Sequence, residues 1–142
     1  MTGPSRRFAE STRVPVGQTR SEIERLLTKY GAKSFMSGQN ATEAILAFEA
    51  KGRRVMFRLQ MPNAGKFTPE KFAQEERRLW RALAMCIKAK LEAVASGIAT
   101  FEDEFLANIV MPDGQTVAQH VRPRIASSYQ ENKMIPFFGG TP

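Results

Sequence analysis

Ala44-Ile45-Leu46-Ala47-Phe48-Glu49-Ala50, then Lys51-Gly52, then Arg53-Arg54-Val55-Met56-Phe57-Arg58-Leu59-Gln60-Met61: this stretch decides the fold. Two runs rich in strand-forming residues flank a two-residue turn ending in glycine, which is the signature of a β-hairpin. Side chains in a strand alternate between faces with period two. In the second run, Val55, Phe57, Leu59 and Met61 therefore share one face. Arg54, Met56, Arg58 and Gln60 share the other. The spacing predicts a sheet with an oily side and a basic side. Pro62 ends the hairpin, because proline cannot donate to the ladder.

Upstream, Thr19-Arg20-Ser21-Glu22 fits a capping box, with Thr19 as N-cap and Glu22 at N3. Ile23, Leu26, Leu27 and Tyr30 follow at helical spacing, and Gly31 suits the C-terminal end. Residues 32–37, centred on Phe35, read as a first strand. Ser37-Gly38-Gln39-Asn40 reads as its turn. Downstream, Thr68-Pro69 opens a long helix, with threonine as N-cap and proline in the first turn. Phe72, Leu79, Trp80, Leu83, Ala84, Ile87, Leu91 and Val94 give it one broad apolar arc, and Gly97 ends it. Glu76 and Lys90 fall in or beside that arc with no local reason.

The last third reads as a helical appendix. Thr100 caps a short helix whose acidic residues Glu102, Asp103 and Glu104 suit the positive end of its dipole. Met111-Pro112-Asp113-Gly114 is a turn, and residues 116–129 are helical with Pro123 as a kink or break. The tail holds Ile135, Phe137 and Phe138, an apolar group that docks on the body or on a neighbour. The expected fold is thus α+β: a helix, a three-stranded antiparallel sheet, a long helix packed on one sheet face, and a C-terminal helical appendix. The expected divisions are an arm at 1–18, an αβββα core at 19–97, and the appendix at 98–142, within one domain.

The 142 residues carry a formal net charge of +7, unevenly spread. Residues 1–97 hold 18 Lys and Arg against 9 Asp and Glu, and residues 98–142 hold 3 against 5. A basic body raises the expectation of a polyanionic partner. Arg53, Arg54 and Arg58 on the third strand and Arg77, Arg81 and Lys88 on the long helix are the candidate nucleic-acid contacts. Arginine suits phosphate because its planar fork makes paired hydrogen bonds and keeps its charge. A solvated surface with internal ion pairs, or an acidic protein partner, accounts for the same residues. The expected function is nucleic-acid binding, DNA or RNA, without strong sequence preference. The alternative is a non-enzymatic protein that inhibits or scaffolds a host or phage protein, with Ile135, Phe137 and Phe138 as anchor. A homo-oligomer is compatible with either.

Little points to catalysis. The single Cys86 makes an internal disulfide unworkable, and the single His120 has no second imidazole for a metal. Glu102, Asp103 and Glu104 make a nuclease the weakest reading, since adjacent helical positions point in different directions. No phosphate-binding loop or cofactor motif is present, and no apolar run reaches the roughly 20 residues of a membrane span. The expected setting is cytoplasmic.

Two resemblances bear on these readings. The element order is similar to that of double-stranded-RNA-binding domains. Those place a Gly-Pro-His-type loop after the first strand and a lysine cluster at the second helix. Here Ser37-Gly38-Gln39-Asn40 stands in the loop, and only Lys66 and Lys71 flank the helix start. More broadly, Val14-Pro15-Val16, residues 21–32, Gly52-Arg53-Arg54-Val55-Met56-Phe57, residues 80–94, residues 100–107 and residues 111–117 resemble a family of small uncharacterised proteins common in tailed phages and prophages. That resemblance implies a phage or prophage origin. It brings no activity and no site residues with it.

Overall fold

The computed structural model describes residues 13–139. Helix α1 (Val16–Tyr30) leads into strands β1 (Ser34–Gln39), β2 (Glu43–Ala50) and β3 (Arg53–Gln60). Helix α2 (Pro69–Ala95), a single turn α3 (Phe101–Glu104) and helix α4 (Val117–Glu131) follow. The sheet is antiparallel in the order β1-β2-β3. The architecture is α+β, with the long helix on one sheet face, as the patterning predicts.

The β2–β3 turn forms as expected. Lys51 and Gly52 have φ of 54° and 73°, the paired left-handed geometry of a tight hairpin turn. Glycine takes this conformation without a Cβ penalty. The register sets Leu46 opposite Phe57 and Phe48 opposite Val55. These four join Ile23, Leu27, Trp80, Leu83, Ile87 and Leu91 in one buried cluster. Leu59 and Leu79 are only partly buried at its margin. In α2, Thr68 Oγ1 accepts from the Lys71 N–H at 3.2 Å, and Pro69 follows as the first helical residue.

Three boundaries differ from the expectation. Helix α1 starts at Val16, capped by Pro15, so the expected arm at 1–18 overlaps the helix, and residues 1–12 lie outside the described residues. Thr19 is not the N-cap. It is fully buried and heads the core stripe Thr19, Ile23, Leu27 at four-residue spacing. One extra turn places Thr19 at the head of this buried stripe, and tertiary burial outweighs a local cap. β1 runs to Gln39 rather than stopping at Ser37. Ser37 and Gly38 pair with Leu46 and Ile45, so backbone pairing overrides their turn preference. The reversal sits one step later. Asn40 Oδ1 accepts from the Thr42 and Glu43 N–H groups at 2.8 and 2.9 Å.

The start of the expected appendix is part of the core. Phe101 and Phe105 lie in the central cluster, their ring centroids 4.8 Å apart, and Phe105 meets Phe48 and Phe57 edge-on. Thr100 caps α3 as expected, accepting from the Asp103 N–H at 3.0 Å. α4 opens on a capping box between Thr116 and Gln119 and runs through Pro123 without breaking. The Lys90 ammonium donates to the Glu104 carbonyl at 3.0 Å, which satisfies an otherwise open end of α3. Glu76 accepts from the Gln39 side chain, whose oxygen takes the Trp80 indole N–H at 3.4 Å. Both unexplained residues of the apolar arc thus bind neighbouring elements.

Candidate functional site

The structure spreads the six basic candidates over different surfaces. Arg54 and Arg58 point from the sheet face opposite the helices, whereas Arg77, Arg81 and Lys88 belong to α2 on the other side. Arg53 turns to α3, where its Nε donates to Glu102 at 2.7 Å. Arg58 donates to Glu43 across the hairpin at 2.8 Å. Arg81 grips both Glu22 oxygens, at 2.9 and 2.6 Å. That bond holds the Glu22 carboxyl below the ordinary range against an opposing desolvation effect, with Arg81, Lys88 and Arg25 adding attraction. The same bond raises Arg81. Arg54 stands opposite Glu49 in register. Arg77 is half-buried, with an Nε that has no hydrogen-bond partner, and Lys88 is exposed. The six do not make one patch.

The helix-free sheet face is apolar at its middle and charged at its margins. One cross-strand row is Met36–Ala47–Met56. The next is Gly38–Ile45–Arg58, and on the other side lies Ser34–Glu49–Arg54. Met36 is 62% exposed. Beside that middle row, Met36, Ala47, Met56, Arg54, Val110 and Gly114 border a hollow of about 430 Å³. Sequence periodicity identified Arg54 and Arg58 here but not their acidic neighbours, because Glu43 and Glu49 lie on a different strand.

The two sheet edges are treated differently. Along β3, the Val110 N–H donates to the Arg54 carbonyl at 2.8 Å, and the Asn108 amide donates to the Met56 carbonyl at 3.0 Å. Ile109 bridges Val55. The chain thus covers its own β3 edge. Among the described residues, β1 has no such cover. The Asn40 N–H bonds to the Glu43 carbonyl at 2.9 Å. Alternation along an antiparallel strand then turns the N–H and C=O groups of Phe35, Ser37 and Gln39 outward. Among the described residues no backbone hydrogen bond meets them. β1 holds no charge and no proline, the usual guards of an exposed edge.

The tail folds back on α4. The Phe138 ring lies 5.5 Å from that of His120, and Arg124 donates to the Gly139 carbonyl at 3.0 Å. Ile135 and Phe137 are half-buried, and Phe138 is 47% exposed. His120 also donates to Asp113 at 2.8 Å, tying the 111–116 turn to the helix. The Gln115 backbone N–H and then His120 lower the Asp113 carboxyl. The acidic cluster is drawn into structure, Glu102 by Arg53 and Glu104 by Lys90. Among the described residues no group of three His, Cys, Asp or Glu side chains is placed to hold a metal, and no helix is long and apolar enough to cross a membrane. No family model, curated protein or solved structure matches the chain.

Proposed function

We propose that the protein is a non-enzymatic interaction protein that captures an extended segment of a host or phage protein by adding it to β1. The observation that carries this reading is the contrast between the edges: β3 is covered by residues 108–110, while β1 is uncharged and meets no outer backbone partner among the described residues. An added strand gains main-chain hydrogen bonds, and alternate side chains supply specificity. Here every second side chain of the guest lies on the helix-free face beside Met36, at the mouth of the hollow. The guest's alternate residues are apolar, and the net charge of +7 favours acidic flanks.

Panning a library of linear peptides against the full chain, then mapping the binders by amide hydrogen exchange, tests this. Protection gained at Phe35, Ser37 and Gln39 supports strand addition. Binders that leave those amides unchanged, or a library that yields none, refute it.

Nucleic-acid binding is the second reading, favoured by the excess of cations in residues 1–97. Anisotropy of labelled single- and double-stranded DNA and RNA at several salt concentrations tests it. Counterion release requires affinity to fall steeply with salt.

A further inference from the structure

β3 carries three arginines, and they end differently. Arg53 is bonded to Glu102 at 2.7 Å and Arg58 to Glu43 at 2.8 Å. Among the described residues the Arg54 side chain makes no ion pair and no hydrogen bond. Glu49 stands opposite it in register without bonding to it. Arg54 is also the arginine that borders the hollow of about 430 Å³ on the helix-free face, and it is the only charged residue to do so. The rest of the lining is apolar except for Ser34. The side beyond β3 is held in place by the chain itself. The Val110 N–H is fixed on the Arg54 carbonyl, and the Gly114 N–H donates to the Met111 carbonyl at 2.8 Å. Gly114, at φ 89°, closes that turn with no side chain to fill the space. The turn's acid, Asp113, is taken up by the Gln115 N–H at 3.0 Å and by His120 at 2.8 Å.

We propose that this hollow is a binding site for a small apolar carboxylate. Its carboxylate accepts from the Arg54 guanidinium, and its hydrocarbon body covers the Met36–Ala47–Met56 row. The planar fork of arginine matches the two oxygens of a carboxylate, and that match adds specificity to attraction. Charge decides between anions. One cation borders the hollow, so one negative charge is balanced there. A phosphate monoester carries about −1.5 to −2 at neutral pH and would leave charge unbalanced over an apolar floor. A neutral apolar molecule gains the floor but not the fork, and an amine is repelled. The volume lies near the lower end of the roughly 300–1,000 Å³ of ligand pockets, which suits a small molecule rather than a long lipid. Met36 and Met56 are flexible and polarizable, so the floor adapts to its occupant. The site needs no backbone bond to β1, and it does not depend on strand capture.

Methyl NMR of the full chain, labelled at methionine and titrated with octanoate, octanamide and octyl phosphate, tests this. Octanoate should shift the Met36 and Met56 signals and leave those of Met61, which is buried in the core, and Met85 on α2 in place. Octanamide, which has the same chain without the charge, should bind about tenfold more weakly or worse, as loss of a charged hydrogen-bond partner implies. Arg54→Ala should erase the difference between the two, and Arg54→Lys should restore part of it, since lysine keeps the charge but not the fork. Ala47→Leu, which fills the floor, should weaken both. Unchanged far-UV circular dichroism confirms that the variants fold. Met36 and Met56 signals that octanoate does not move overturn the proposal. So does octanamide bound as tightly as octanoate, octyl phosphate bound more tightly, or octanoate binding that Arg54→Ala leaves intact. Ser37→Pro should lose peptide capture and keep octanoate, which separates this site from the β1 edge. Octanoate binding lost in Ser37→Pro places the probe on that edge and overturns the site.

Discussion

Arg81 and Glu22 join the two core helices through a two-pronged bond of 2.6 and 2.9 Å. They stand 59 residues apart in the chain, and neither is legible as the other's partner from local spacing. Both side chains are mostly shielded, at 20% and 33% exposure, so the pair is screened less than an open surface bridge.

This pair gives the protein an acid-sensitive element. The Glu22 carboxyl is lowered in the folded chain, chiefly by the Arg81 bond. Its contribution is therefore complete above the unfolded carboxyl range and is lost as pH falls through the folded value. Arg81→Ala should cost about 1–2 kcal/mol at neutral pH, as removal of a charged hydrogen-bond partner does. Chemical denaturation at pH 7 and at pH 3 checks this. The deficit should shrink at the lower pH, and an equal deficit at both would show that the carboxylate is not the source.

The core face and the open face should respond in opposite ways to truncation. Trp80 is fully buried, so Trp80→Ala should cost about 3–5 kcal/mol. Arg54 is exposed, and Arg54→Ala should change stability by no more than about 0.5 kcal/mol. Thermal melts of the two variants measure the contrast. Comparable losses would mean that the helix-free face is covered.

Strand capture should be separable from folding. The Ser37 N–H points away from β2, and proline is tolerated on a sheet edge where no ladder bond is lost. Ser37→Pro should abolish binding of a β1-directed peptide while costing about 1 kcal/mol or less. Titration of the peptide alongside a denaturant melt gives both values. Unimpaired binding would exclude β1 as the site.

If nucleic acid is the partner, the dispersed cations predict a diffuse footprint. Arg54→Ala with Arg58→Ala should weaken binding to all sequences alike and flatten its salt dependence by about one unit for each phosphate no longer neutralised. Arg58 is already held by Glu43, so Arg54→Ala should carry the larger share. Anisotropy titrations of the single variants decide this. Equal effects would show that the Arg58–Glu43 pair opens on binding.

The order of elements, the hairpin and its turn, the Thr68 and Thr100 caps and most of the core were legible in the chain itself. Each rests on interactions within a few residues: period-two or 3.6-residue patterning, a positive-φ turn at Lys51-Gly52, and side-chain caps. Only the tertiary structure decided where the charges go. Arg53 finds Glu102, Arg58 finds Glu43 and Arg81 finds Glu22 through packing of distant segments, so a cation count along the chain overstates the free positive surface. Packing likewise drew Thr19 into the core, extended β1 through Ser37 and Gly38, covered one sheet edge and left the other without a backbone partner among the described residues. Burial and edge pairing depend on which surfaces meet, and the local sequence carries that information only through the fold as a whole.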